Sequence, residues 1–278
     1  MKIGMLTAPM RDVGIKELVD FATRAGIQAF EVAAAGKTAH FDPDDVSVGK
    51  QLVEACEQAG LEISSLAAYV DVTAGDEQQR RDNQELLARL VDMCAELGVE
   101  VLCCNAGQPP AGMSREEAIE QLAAPFYREL AKKAADKGIK LALENWTATN
   151  MMNLAQWELM FELVPDENFG LNFDPSHLVW QDIDYLNAVD VFGQRIFHTH
   201  AKDTEIIWNK KAWLGNQVRG WWRFVIPGLG EVKWGQYIAR LRKVGFNGVL
   251  SIEHEDSAVG REEGFMMAAR YLGQFVAG

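Results

Sequence analysis

Ile196-Phe197-His198-Thr199-His200-Ala201-Lys202-Asp203 begins as a short apolar strand and turns polar at its end, with imidazoles at alternate positions and then a Lys-Asp pair. In a strand, His198 and His200 share one face, about 7 Å apart. Three other stretches have the same form: Leu141-Ala142-Leu143-Glu144-Asn145, Gly170-Leu171-Asn172-Phe173-Asp174-Pro175-Ser176-His177 and Val249-Leu250-Ser251-Ile252-Glu253-His254-Glu255 are apolar runs that each end in a carboxylate. Glu144, Asp174, His200 and Glu253 are therefore predicted at the C-terminal tips of strands, where a parallel barrel collects its catalytic groups. Taken singly, each is an ordinary strand-end polar residue. All four are of metal-ligand type, however, so the pattern predicts that they converge.

The rest of the chain repeats around these strands. Ile15, Leu18, Val19 and Ala22 have the i, i+3, i+4, i+7 spacing of an amphipathic helix over 13–25. Gly26 ends it as a C′ glycine would, and Ile27-Gln28-Ala29-Phe30-Glu31-Val32 then has strand character. Helix, glycine, apolar residue and strand recur at Gly60-Leu61, Gly98-Val99, Gly138-Ile139 and Gly245-Phe246. The first four glycines are 34, 38 and 40 residues apart, the length of one βα unit. With the opening Lys2-Ile3-Gly4-Met5-Leu6-Thr7 strand and those ending at Asp174 and His200, the strands number eight. The predicted fold is α/β: a single (β/α)8 TIM barrel over residues 1–278, close to the ~250 residues such barrels need. Ser114-Arg115-Glu116-Glu117 reads as a capping box at one helix start, placing the preceding Gly107–Gly112 loop on the side of the carboxylates.

One connection breaks the pattern. From about 204 to 232 no clear periodicity follows the His200 strand, and a connection that long is usually functional. Trp208, Trp213, Trp221 and Trp222 fall in it, with Trp234 just beyond, so five of the chain's eight tryptophans cluster here, together with Lys210, Lys211, Arg219 and Arg223. Such a segment suits aromatic walls for a sugar-like ligand and equally suits a contact between copies of the chain, which would make the protein a homo-oligomer.

Composition narrows the classes. With 48% hydrophobic and 24% charged residues the chain can bury a sizeable core. A formal charge of −13 and no local basic patch argue against nucleic acid as a partner. Cys56, Cys94, Cys103 and Cys104 lack CxxC spacing and are predicted as buried free thiols. There is neither a signal-like apolar region before Arg11 and Asp12 nor an apolar run of ~18 residues, so a cytoplasmic protein without a membrane span is expected.

Three carboxylates and an imidazole form an oxygen-rich donor set suited to one divalent metal ion, Mn²⁺ first, with Mg²⁺, Co²⁺ or Zn²⁺ also compatible. Without an ion such carboxylates would repel and take up protons. The alternative is neutralisation by Lys202 and Arg219.

The pattern of Glu144 on the fifth strand, Asp174-Pro175-Ser176-His177 on the sixth, His200-Ala201-Lys202-Asp203 on the seventh and Glu253 on the eighth resembles the xylose isomerase-like barrel superfamily, particularly its sugar isomerases and ketose 3-epimerases. Pro227-Gly228-Leu229-Gly230-Glu231-Val232-Lys233-Trp234 is similar to a segment of that group before the seventh helix, and the resemblance covers essentially the whole chain. It implies that Glu144, Asp174, His200 and Glu253 bind one divalent metal and that Glu144 and Glu253 also act as acid and base on a small carbohydrate substrate. The metal would stabilise the enediolate formed when a C–H next to a carbonyl is deprotonated, giving epimerisation or aldose-ketose isomerisation. His177 matches a position contacting a substrate oxygen, Lys202 either holds one or pairs with Asp203, and Arg219 and Trp146 complete the expected substrate-binding set. His198 is expected to pack one layer deeper, His254 to face away from the interior, and His40 to lie in reach of the mouth.

This chain departs from the ketose 3-epimerases in what surrounds those residues. Asn145-Trp146-Thr147-Ala148-Thr149-Asn150 replaces the arginine and glutamate usual after the fifth-strand Glu, and no arginine follows His200 before Arg219. The substrate is thereby expected to differ from a simple free ketose. A sugar or inosose dehydratase and a non-catalytic sugar-binding barrel stay open beside the isomerase or epimerase reading. The third and fourth strands end near Tyr69 and Asn105 rather than in the additional histidines that endonucleases on this scaffold need.

Overall fold

The structure is a computed structural model describing residues 1–35 and 40–276. Ten strands occur among these: β1 Lys2–Leu6, β2 Ala29–Ala33, β3 Glu62–Ala67, β4 Val101–Asn105, β5 Lys140–Glu144, β6 Phe169–Phe173, β7 Ile196–Ala201, β8 Asp203–Ile206, β9 Trp222–Val225 and β10 Val249–Ile252. Strands β1–β7 and β10 close into a parallel barrel in the order β1-β10-β7-β6-β5-β4-β3-β2. The helices wrap it: α1 Ile15–Ala25, α2 Val46–Ala59, α3 Glu77–Leu97, α4 Arg115–Ala118, α5 Ala124–Ala135, α6 Leu154–Leu163, α7 Ser176–Val179, α8 Tyr185–Phe192, α9 Trp208–Leu214, α10 Trp234–Lys243 and α11 Arg261–Val276. The chain is thus the single α/β barrel its repeats predict. No helix among the described residues is long and apolar enough to cross a membrane.

Local signals act where the sequence places them. Gly26, Gly60 and Gly98 end α1, α2 and α3 at φ of 72°, 71° and 70°, a left-handed conformation open to glycine without a Cβ penalty. Ser114 accepts from Glu117 N while the Glu117 side chain reaches back to Ser114 N, completing the capping box. All four cysteines are free and buried.

The main core lies between barrel and helices, where Phe30, Val32, Leu66, Leu141 and Phe173 meet residues such as Leu18, Leu90 and Tyr127. Inside the barrel, Leu6, Ala67, Cys103 and Ala142 form a small buried apolar cluster. Beside it the interior holds buried polar side chains, among them Glu31, Ser65, Asn172, His198 and Ser251. Two of the parallel pairings shift register there, β2 with β3 between Phe30 and Glu31, and β6 with β7 between Leu171 and Asn172. Such irregularities re-aim side chains, and both adjoin residues that contact His200.

The connection over 204–232 is more ordered than its missing periodicity predicts. Strands β8 and β9 pair antiparallel, from Asp203 opposite Val225 to Ile206 opposite Trp222, with α9 at the hairpin tip. Two strands of four residues and one of seven helical residues are too short for a period to emerge from sequence.

Candidate functional site

Each of the four predicted ligands projects from the C-terminal end of its own barrel strand. Glu144 closes β5, Asp174 follows β6, His200 lies near the end of β7 and Glu253 follows β10. One donor atom from each falls within 4.8 Å of the others. His200 Nδ1 is central, 3.2 Å from Glu144 Oε1, 3.2 Å from Glu253 Oε2 and 3.8 Å from Asp174 Oδ2. A parallel barrel forces this meeting, because every strand tip lies on the same rim.

Asp174 is held rigidly. Its Oδ1 accepts from Ser176 N at 2.8 Å, while Asn145 clamps its backbone, accepting from Asp174 N at 2.7 Å and donating to Asp174 O at 2.8 Å. Asp174 Oδ2, fully buried and turned toward the cluster, accepts no hydrogen bond. A buried carboxylate oxygen left without a donor is costly unless a cation completes it. The Lys202 ammonium at 3.3 Å is near that oxygen without a hydrogen bond to it, and three carboxylates with an imidazole form a donor set that fits a divalent ion.

Charge in the cluster is balanced by cations already in place. Burial pushes the Lys202 ammonium down, but Glu253, Asp174 and Glu255 outweigh it and hold it well above its usual range. Lys202 Nζ stands 2.6 Å from Glu253 Oε2, 3.3 Å from Asp174 Oδ2 and 3.6 Å from Glu255 Oε2. Burial raises Glu144, yet hydrogen bonds from His177 and His200 leave it well below the usual carboxylate range. Glu253 is lowered likewise by Lys202 and His200 against the same burial.

The expected substrate residues fall into two groups. His177 is buried at the cluster, Nε2 being 3.4 Å from Glu144 Oε1, 3.5 Å from Asp174 Oδ2 and 3.3 Å from Lys202 Nζ. Trp146 is half-buried just past Glu144. Arg219 stands exposed between α9 and β9, and no ion pair or hydrogen bond joins it to the cluster among the described residues. Arg223, the other arginine in that segment, is engaged by Glu205 and Asp256 at 2.6 and 2.7 Å.

The suggested Lys202–Asp203 pair does not form, because the two side chains serve different partners. Asp203 accepts from Thr204 N, Gly228 N, Val232 N and Trp234 Nε1 at 2.8–3.0 Å. It pins the Pro227–Trp234 segment to the barrel rim. Phe224 of β9 covers Lys202, 4.5 Å from Nζ to ring centroid, and meets the His177 ring edge-on at 5.0 Å. Trp222 stacks on Trp180 at 4.7 Å beside it, whereas Trp208 and Trp213 are 60% and 89% exposed.

His198 lies deeper, its Nδ1 3.1 Å from Asn172 Oδ1 and its Nε2 3.1 Å from Ser64 Oγ, and burial lowers it to about 4. His254 packs on Phe265 of α11, away from the cluster. His40 does not open onto the mouth: it is fully buried, with Nε2 2.6 Å from Val13 O.

The sequence reading passes over Glu31. This β2 residue points inward, both carboxylate oxygens 3.1 Å from His200 Nε2, and accepts further hydrogen bonds from Tyr69 Oη and Ser251 Oγ. Burial raises it, but His200, His198 and the Ser251 hydroxyl bring it down to about 2. The available signal was a carboxylate between Phe30 and Val32, the same interruption of an apolar run that marks Glu144.

The sequence profile of the xylose isomerase-like TIM barrel family matches residues 19–274. An L-ribulose 3-epimerase of Methylomonas sp. strain DH-1 is 28% identical over 88% of this chain and 80% of its own. An inosose dehydratase of Histophilus somni is 28% identical over 67% and 68%. Among solved structures, the IolI protein with a binding zinc atom superposes with a TM-score of 0.78 at 19% identity, covering 100% of both chains.

Proposed function

The chain belongs to the xylose isomerase-like TIM barrel family, and from that premise we propose that it is a divalent-metal-dependent enzyme moving a proton next to the carbonyl of a polyhydroxy substrate, as an isomerase or epimerase. The observation that carries this reading is the approach of Glu144 and Glu253, from two strands, to the same His200 nitrogen beside Asp174 Oδ2, which accepts no hydrogen bond. Glu144, Asp174, His200 and Glu253 would hold the ion, Mn²⁺ first among Mg²⁺, Co²⁺ and Zn²⁺. When bound, it supplies positive charge that offsets the negative charge developing on the substrate oxygens.

Glu144 and Glu253 are depressed carboxylates, so both enter the reaction able to accept a proton. One removes the proton from carbon; the other, having first taken a proton from solvent, delivers it to the opposite face for epimerisation. Return of a proton to the neighbouring carbon, with a proton passed between the two substrate oxygens, gives isomerisation instead. His177 and Lys202 donate hydrogen bonds to substrate oxygens at the cluster, and Trp146 and Phe224 offer apolar surface beside it. Arg219 joins this set only if substrate draws its segment inward.

A dehydratase is the second reading, favoured by the Lys202 ammonium beside Glu253, placed to protonate a departing hydroxyl. Solvent deuterium uptake, read by mass spectrometry over ketoses, inososes and oxidised glycosides with metal-loaded protein, tests both. Incorporation dependent on metal and on Glu253, at conserved substrate mass, supports the isomerase or epimerase, and loss of water with an ultraviolet-absorbing product supports the dehydratase. Binding of sugar with no incorporation from any compound overturns both in favour of a non-catalytic barrel.

A further inference from the structure

We propose that Glu31 is the positioning residue of this site: its carboxylate takes the Nε2–H of His200, so that Nδ1 faces the ion held with Glu144, Asp174 and Glu253. The inference rests on reading that cluster as a metal site.

The imidazole of His200 bridges two acidic environments. Its Nδ1 faces Glu144 and Glu253 at 3.2 Å, and its Nε2 faces both oxygens of Glu31 at 3.1 Å. An ion can take Nδ1 only when that nitrogen has given up its proton, and the one proton of the neutral imidazole then sits on Nε2. The opposite tautomer would leave the Nε2 lone pair against two carboxylate oxygens, with Asn172 Nδ2 at 3.0 Å and Tyr69 Oη at 3.1 Å as the donors within reach. Tyr69 Oη already gives its one hydrogen to Glu31 Oε1, and Asn172 Nδ2 has one hydrogen for Tyr69 Oη at 2.9 Å and one left over, so a single donor would stand against two carboxylate oxygens. Glu31 therefore selects the Nε2–H form.

Glu31 is itself fixed. It is fully buried, and its donors come from Tyr69 just past β3, His200 of β7 and Ser251 of β10. An apolar side chain would fill this layer with no desolvation cost, so a charge kept here and given three donors has a use beyond packing. A carboxylate behind a metal-bound histidine fixes its tautomer and ring orientation and raises its basicity.

A rival use exists: Glu31, Cys103 and His198 also place donor atoms within 4.8 Å of one another. Both nitrogens of His198 are occupied by Asn172 and Ser64, and burial holds the Cys103 thiol well above its usual range. That trio is a closed polar layer, and Glu31 turns its oxygens to His200.

The test titrates the whole protein with Mn²⁺ and Zn²⁺ by calorimetry, comparing wild type with Glu31→Gln, and records the NMR spectrum of the Co²⁺-loaded forms. One ion per chain is expected in both proteins, bound about 10–100-fold more weakly by Glu31→Gln. The exchangeable, hyperfine-shifted N–H resonance of His200 in the Co²⁺ protein should move and exchange faster in the variant, which a purely packing role would not cause. Ser251→Ala, which removes one donor but keeps the carboxylate, should weaken binding a few-fold and carries the test should Glu31→Gln not fold. Unchanged affinity and an unchanged resonance in the variants overturn the proposal, as does a fall from two bound ions to one, which would make Glu31 a direct ligand. Failure of the wild type to bind any divalent ion would instead overturn the metal-dependent function.

Discussion

The Lys202 ammonium nitrogen lies 2.6 Å from Glu253 Oε2, in contact with one of the two glutamates that would move the proton. A side chain that is 2% exposed is holding its charge against a nearly buried carboxylate. Such a pair is weak evidence for stability as a pair, but removing one partner leaves the other charge uncompensated.

Lys202→Met should therefore destabilise the chelator-treated protein by about 3–5 kcal/mol. A saturating divalent ion should restore part of that loss, because it supplies the missing positive charge. Urea unfolding with and without metal measures both. Equal destabilisation in the two conditions would mean that Lys202 and the ion do not share the cluster's charge.

Glu144→Gln and Glu253→Gln preserve shape while removing the base. Each should lower kcat about 10²–10⁴-fold, the range for general acid–base groups. An epimerase retaining one base should still wash deuterium into substrate through the remaining glutamate while product formation stalls. Full product turnover by either variant would remove that glutamate from the chemistry.

Asp203 gathers four donors, three of them from the rim segment that follows the hairpin. Asp203→Ala strands these donors and should cost about 3 kcal/mol in unfolding free energy, as hydrogen bonds to a buried charge do. Gly230→Ala should destabilise the same corner, since a Cβ there would lie 2.4 Å from Asp203 Oδ1 and 2.5 Å from Thr204 O. Proteolysis near 227–234, mapped by mass spectrometry, should accelerate in both variants.

His40 supplies a pH dependence away from the cluster. Burial lowers its affinity for a proton, against the Val13 carbonyl and the Asp12 charge, which raise it. In the unfolded chain it titrates near 6.5. Below that pH the unfolded state binds more protons, so this contribution to stability is present above 6.5 and is lost as pH falls toward the lower folded value. His40→Gln, which can still donate to Val13 O, should lose less stability than wild type between about pH 7.5 and about pH 5.5 in urea titrations. Parallel losses would assign the acid sensitivity elsewhere.

Much of this protein is legible along the chain because the physics is local. Gly26, Gly60 and Gly98 mark helix ends, the apolar runs mark strands, and eight such units in 278 residues leave a closed barrel as the economical solution. The convergence of Glu144, Asp174, His200 and Glu253 follows from that fold, since parallel strands put every C-terminal tip on one rim. The pairing of side chains across the interior is a different matter. Glu31 and His200 are 169 residues apart, and the β2–β3 register shift beside Glu31 leaves no periodic trace. Lys202 and Asp203 look like a local pair, yet their neighbours in space, Glu253 for one and the Gly228 amide and Trp234 indole for the other, send them to opposite tasks. The sequence by itself determined the barrel and the rim on which its polar residues gather, through short-range periodicity and strand direction. Only the tertiary structure decided which carboxylate orients which imidazole and which lysine balances which charge, because burial and distance between remote strands set those energies.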